Sequence, residues 1–141
     1  AWLGGLNGVT VIRHSDGAVL RYDEANGLRG EVVNDLAIDG ENTPWVATPE
    51  GLGRFHENRW LFIHDGFPEN HHVRSIAMDS NGELWTGGLR GAGHYDGEQW
   101  ETFNTRDGLI SNNIHSVHVD GADRVWFVTN AGISLMIRQG E

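Results

Sequence analysis

The chain has 141 residues, 38% hydrophobic and 21% charged, with a mean hydropathy of -0.42, which fits one domain rather than a membrane protein. No apolar run approaches the ~18 residues of a spanning helix. Ten arginines against twenty acidic residues give a net charge of -10, which argues against a nucleic-acid partner, and the lack of lysine excludes Schiff-base and Walker-type phosphate chemistry. Cysteine is absent too, so disulfides, thiolate metal sites and cysteine nucleophiles are excluded. Nothing resembles a signal peptide, and an opening Ala1 in place of Met fits a mature form or an excised piece.

A repeat runs through the sequence. Trp2, Trp45, Trp85 and Trp126 are spaced by 43, 40 and 41 residues, and Gly8, Gly51, Gly91 and Gly132 keep the same intervals. Asp39, Asp79 and Asp120 follow at 40 and 41, and Trp60 to Trp100 is another 40. In chain order, three strands are expected between Ala1 and Asp23, four between Val33 and His64, four between His72 and Asn104, and three between Ile114 and Ile137. In the third set these are HVRSIAMD, LWTGG, GAGHYD and WETFN, rich in aromatic and β-branched residues and bounded by Gly, Asp and Asn. No window sustains an amphipathic helical period. Four antiparallel strands per ~40 residues form a β-propeller blade, so the expected fold is all-β with about 3.5 blades in a single unit over 1–141. The repeats run approximately over 2–44, 45–84, 85–125 and, in part, 126–138.

The four Trp at this spacing are expected in the core between neighbouring blades, while Trp60 and Trp100, opening the outermost strand, are expected half-exposed. An arc of 3.5 blades leaves apolar faces uncovered at both ends, so the chain is expected to complete a ring as a homo-oligomer, a dimer or trimer. The stretches Asp79–Glu83 and Asp120–Asp123 echo calcium loops but lack the 12-residue ligand spacing, and are expected to be hairpin turns.

The motifs LWTGG at 84–88, GHYDG at 93–97, RDGLISNNI at 106–114 and RSIAMD at 74–79 resemble the two-component regulator propeller repeat. PWVAT, VWFVT and His56 depart from that pattern. The resemblance implies a periplasmic or extracytoplasmic sensor propeller of a hybrid histidine kinase, non-catalytic, binding a small polar molecule such as an oligosaccharide. Two alternatives stand beside it. One is a purely structural self-assembling repeat protein, natural or engineered. The other is an enzyme resembling the streptogramin lyases, kept open by the histidines.

Loops between blades, and between the second and third strands of a blade, gather polar side chains at one end of a propeller. Arg29, Asn34, His71, His72, Arg74, Arg90, Asn113, His115 and His118 are therefore the candidate ligand-binding residues. Glu31, Glu69, Asn70, Asn112, Asn7, Glu50 and Asn130 fall in the same loops. Adjacent His71 and His72 point to opposite faces of a strand, as do His115 and His118 three apart, so no metal site or cofactor is expected. The six serines form no Gly-x-Ser-x-Gly elbow, and Ser75 and Ser116 share a repeat column with Asp35, which suggests a structural use.

Overall fold

Each hairpin is set by residues that accept a left-handed backbone. In the turns that follow Asp39, Asp79 and Asp120, that conformation falls on Asn42 (φ 64°), Gly82 (φ 74°) and Asp123 (φ 56°), the residue types that tolerate it best. The next turn in every unit needs Gly outright: Gly8, Gly51, Gly91 and Gly132 have φ between 103° and 135°. The glycine column of the sequence is thus a column of turns.

The structure, a computed structural model, describes residues 1–28, 32–63 and 72–137. Among them fourteen strands form four antiparallel sheets in simple meander order. The first sheet holds β1 (Trp2–Gly5), β2 (Gly8–Ile12) and β3 (Val19–Tyr22). The second holds β4 (Asp35–Ile38), β5 (Pro44–Thr48), β6 (Gly51–His56) and β7 (Arg59–Phe62). The third holds β8 (Val73–Met78), β9 (Leu84–Gly88), β10 (Gly91–Tyr95) and β11 (Trp100–Phe103). The last holds β12 (Ile114–Val119), β13 (Val125–Thr129) and β14 (Gly132–Met136). The all-β propeller expectation, with two complete blades flanked by two three-stranded ones, is therefore met.

Three cores lie between successive sheets, because a single sheet has two faces to cover. Trp45, Ala47 and Leu52 of the second sheet meet Val73, Ile76 and Leu84 of the third. Trp85 and Ala92 meet Val117, Val125 and Phe127 of the last. Leu28 and Leu109, each just after a 3-10 turn reciprocally capped by Asp23 or Asn104, plug two of these seams. Trp45 and Trp85 are buried as expected, whereas Trp2 and Trp126, on the end sheets, are half-buried.

Trp60 departs from expectation. It is only 2% exposed, because Trp2, Tyr22 and Phe55 build an aromatic cluster over it, with Trp2 and Phe55 ring centroids 6.2 and 5.0 Å from its own.

Thr86 is fully buried and its hydroxyl has no hydrogen-bond partner among the described residues. The same repeat position carries Val46 and Phe127, so the seam is built for an apolar side chain. Replacing Thr86→Val should raise stability by about 1 kcal/mol, read as a higher urea midpoint at unchanged slope. A lower midpoint would show that the hydroxyl has a stabilising role.

Candidate functional site

The inner strands β4, β8 and β12 lie side by side, and their N-terminal ends carry most of the predicted residues. There the structure joins Asn34, His72, Arg74, Asn113 and His115 across three sheets. Asn34 Nδ2 donates to the Val73 carbonyl at 2.8 Å and lies 3.5 Å from His72 Nε2. Arg74 donates to Asn113 Oδ1 at 2.6 Å and lies 3.2 Å from His115 Nδ1. The turn bearing the exposed Arg90 reaches the same end, since Leu89 N donates to His72 O and Gly91 N to Asn112 O.

His118 sits further along β12, exposed, with Ser116 Oγ 2.9 Å from its Nε2. A β-bulge between Ile114 and Ser116 interrupts the simple alternation at His115. Arg29 and His71, with Glu31, Glu69 and Asn70, lie outside the described residues.

Chemically, this end of the chain offers guanidinium and amide donors, amide and imidazole acceptors, and no carboxylate among the predicted residues described. A guanidinium has five N–H donors, and only one Arg74 nitrogen is engaged by the bonds above, so a ligand hydroxyl or carboxylate could be met in the same plane. The sequence did not show that several of these residues also brace one sheet to the next.

A second polar column runs deeper. Asp35 Oδ2 accepts from Ile76 N at 2.8 Å, and Ser75 Oγ accepts from Val117 N at 3.0 Å. These are bonds from one inner strand to the following one, which gives Asp35 and Ser75 their structural use, whereas Ser116 meets His118 of its own strand. At the opposite end, Ser80 donates through its amide and hydroxyl to the Asp123 carboxylate, a further link between the last two blades.

The repeated aspartates have one job. Asp39 Oδ1 accepts from Glu41 N and Thr43 N, and its Oδ2 from the Trp45 indole at 2.8 Å. Asp79 does the same for Asn81, Glu83 and Trp85, and Asp120 for Ala122, Arg124 and Trp126. The two stretches that echo calcium loops are therefore Asp-pinned turns.

A basic or imidazole group then covers each indole: Arg54 at 5.7 Å over Trp45, the His94 ring at 4.2 Å on Trp85, and Arg124 at 5.8 Å over Trp126. His94 also meets Glu83 at 2.9 Å, and Asp79, Glu83 and His94 place ligand atoms within 4.8 Å of one another. This donor set has the chemistry for a divalent ion, yet each member already serves the turn, the indole or the cross-strand pair. The sequence does not show it, because Asp79 and Glu83 lie in one turn and His94 on β10, and the other repeats carry different residues at the positions of Glu83 and His94. None of the nine predicted residues lines the groove of about 480 Å³ between the second and third sheets, which holds Asp39, Glu41, Arg54, His56 and Asp96.

The Trp126 indole N–H above all, then the amides of Arg124 and Ala122, hold the Asp120 carboxyl far below the ordinary carboxylate range. A depressed folded-state value contributes stability that is present above the unfolded value of ~4 and is lost as pH falls toward the folded one. Asp120→Asn should therefore flatten part of the acid limb of stability below pH ~4. Denaturant midpoints between pH 2 and 6 test this, and parallel acid limbs in both proteins would refute it.

Meandering sheets seamed by Trp, with inner strands laid side by side, define a β-propeller. Residues 66–90 match the family model of the two component regulator propeller.

No match is found among curated proteins. Of solved structures, the extracellular domain of the putative hybrid two component system BT3049 from B. thetaiotaomicron is similar, with a TM-score of 0.75 at 19% identity over 99% of this chain. This chain spans 20% of that one. Virginiamycin B lyase from Staphylococcus aureus gives a TM-score of 0.66 at 14% identity, over 96% of this chain and 50% of the lyase. PorZ, a surface component of the type-IX secretion system of Porphyromonas gingivalis, gives 0.62 at 17%, over 89% and 22%. These likenesses establish the fold. Among the described residues no helix is long and apolar enough to cross a membrane.

Proposed function

We propose that the chain is part of a non-catalytic, extracytoplasmic sensor propeller that binds a small polar molecule, such as an oligosaccharide, at the N-terminal ends of its inner strands. The observation that carries this reading is the cluster of Asn34, His72, Arg74, Asn113 and His115 at the N-terminal ends of three adjacent strands. It joins rigid strands to hydroxyl- and carboxylate-seeking groups. The likeness to an extracellular two-component domain supports the setting.

Calorimetric titration with a panel of neutral and acidic oligosaccharides tests it. Binding of one class, weakened at least tenfold by Arg74→Ala with the fold intact by circular dichroism, is the expected result. Equal affinity in the variant would move the site elsewhere.

A second reading, ring completion by copies of this chain as dimer or trimer, is favoured by the exposed Leu3, Ile12 and Val19 on the first sheet and Ile133 and Leu135 on the last. Light scattering coupled to size exclusion decides it: a discrete multiple of 15.6 kDa supports it and a monomer refutes it.

A further inference from the structure

Three side chains with metal-ligating atoms meet at the end of β8 away from the polar cluster. Asp79 opens the turn after β8, Glu83 closes it, and His94 lies on β10 opposite Trp85. His94 Nε2 is 2.9 Å from Glu83 Oε2, and ligand atoms of all three residues lie within 4.8 Å of one another. Asp79 and His94 are 7% and 6% exposed, and the Glu83 side chain 20%. Ligands held about 2.0–2.2 Å from one ion stand roughly 3–4 Å apart, so small side-chain rotations close this set around a single ion.

The other repeats show that the fold does not require the set. Asp39 and Asp120 pin their turns and bond their indoles as Asp79 does, with Thr43 and Arg124 where Glu83 stands. Arg54 and Leu135 take the place of His94 opposite the Trp. The turn and the indole are thus served without a carboxylate and an imidazole, and burying that pair carries a desolvation cost that neither job explains. A carboxylate offers about four lone-pair sites, so Asp79 can hold its turn and a cation together. Glu83 also lines the groove of about 480 Å³ between the second and third sheets, where Asp39, Glu41 and Asp96 outnumber Arg54 and His56. That groove is an open route with the charge to draw cations in.

We propose that Asp79, Glu83 and His94 form a binding site for one divalent transition-metal ion of the zinc class, with solvent from the groove completing its shell. One imidazole nitrogen with two carboxylate oxygens suits zinc better than calcium, which takes about six to eight oxygens. The ion replaces the hydrogen bond between His94 and Glu83 and ties the turn before β9 to β10. The site lies at the far end of β8 from Arg74, and the inference does not rest on oligosaccharide binding there.

Calorimetric titration of the intact chain with zinc chloride tests it. The expected result is one ion per chain, a thermal midpoint raised by several degrees at saturating zinc, and no displacement by about a hundredfold excess of calcium. Glu83→Gln and His94→Phe should each weaken zinc binding by about tenfold or more and remove the thermal shift. Circular dichroism checks that each variant folds. Where His94→Phe does not, Glu83→Gln decides alone, since Thr43 and Arg124 at that place leave their turns intact. Cobalt(II) in place of zinc adds a visible absorption band, and its loss in the variants reports ligation rather than stability. No uptake by the original chain, a loss of less than tenfold in a folded variant, or displacement by calcium would overturn the proposal.

Discussion

Replacing Asp79→Ala should destabilise the chain by about 3 kcal/mol or more, a large share of the 5–15 kcal/mol that holds a typical domain together. The carboxylate is 7% exposed and accepts from Asn81 N, Glu83 N and the Trp85 indole at 2.9, 3.0 and 3.2 Å. Removing it leaves the indole N–H of a Trp that is 2% exposed without this acceptor, and removes two bonds that shape the turn. Bonds to a charged acceptor contribute roughly 1.5–3 kcal/mol where the donor cannot turn to water. Asp79→Asn discriminates the two halves of the loss. Its amide oxygen can keep the turn, but its NH₂ would face the indole donor, so about half of the destabilisation should remain. Asp120→Ala should cost less, because Trp126 is half-buried and water can replace the lost acceptor. Urea denaturation of the three variants gives the order, and a larger loss at Asp120 than at Asp79 would contradict this account.

The same aspartate column shows what could be read from the sequence. Periodic Trp, Gly and Asp positions fix which residues face a neighbouring blade, where the chain turns left-handed, and which turn is pinned. The Trp and Gly needs recur in all four units and the Asp need in three, so the repeat makes them visible. Links that join one blade to the next are less visible. Asn34 and Arg74 lie at the strand ends where ligand-binding residues are expected, but their partners lie 39 residues away and differ between repeats. Ser75 could be assigned a structural role from its column with Asp35, though the column does not show that both accept a backbone N–H. Trp60 is buried against expectation because its cover comes from Trp2, Tyr22 and Phe55, and a strand's place at the outer edge says nothing about the sheet beside it. His94 on β10 meets Glu83 in the turn before β9, and no other repeat carries that pair. Cross-strand chemistry of this kind depends on register, which a single sequence does not print.

Gly91→Ala should also cost about 3 kcal/mol or more, for two reasons that can be separated experimentally. At φ 103° the backbone lies where an L-residue is strained, a cost of roughly 1–3 kcal/mol. A Cβ there would also stand 2.4 Å from the carbonyl oxygen of Phe103, which is main chain and held by the pairing of β10 with β11. Relieving that contact means moving the outer strand, whose Phe103 packs on the core between the last two sheets. Gly132, at φ 135°, shares the strain, but its Cβ would meet only the tip of Ile110 at 3.2 Å, a side chain that can turn aside. Gly5 has nothing within 4 Å of such a Cβ and no left-handed backbone. Alanine at Gly91 should therefore cost most and at Gly132 less. At Gly5 it should cost close to nothing, or give a few tenths of a kcal/mol of stabilisation through a less disordered unfolded chain. Denaturant midpoints of the three variants check the order. If Gly132→Ala were as costly as Gly91→Ala, strain alone would account for the column, and the close approach of Phe103 would have no energetic part.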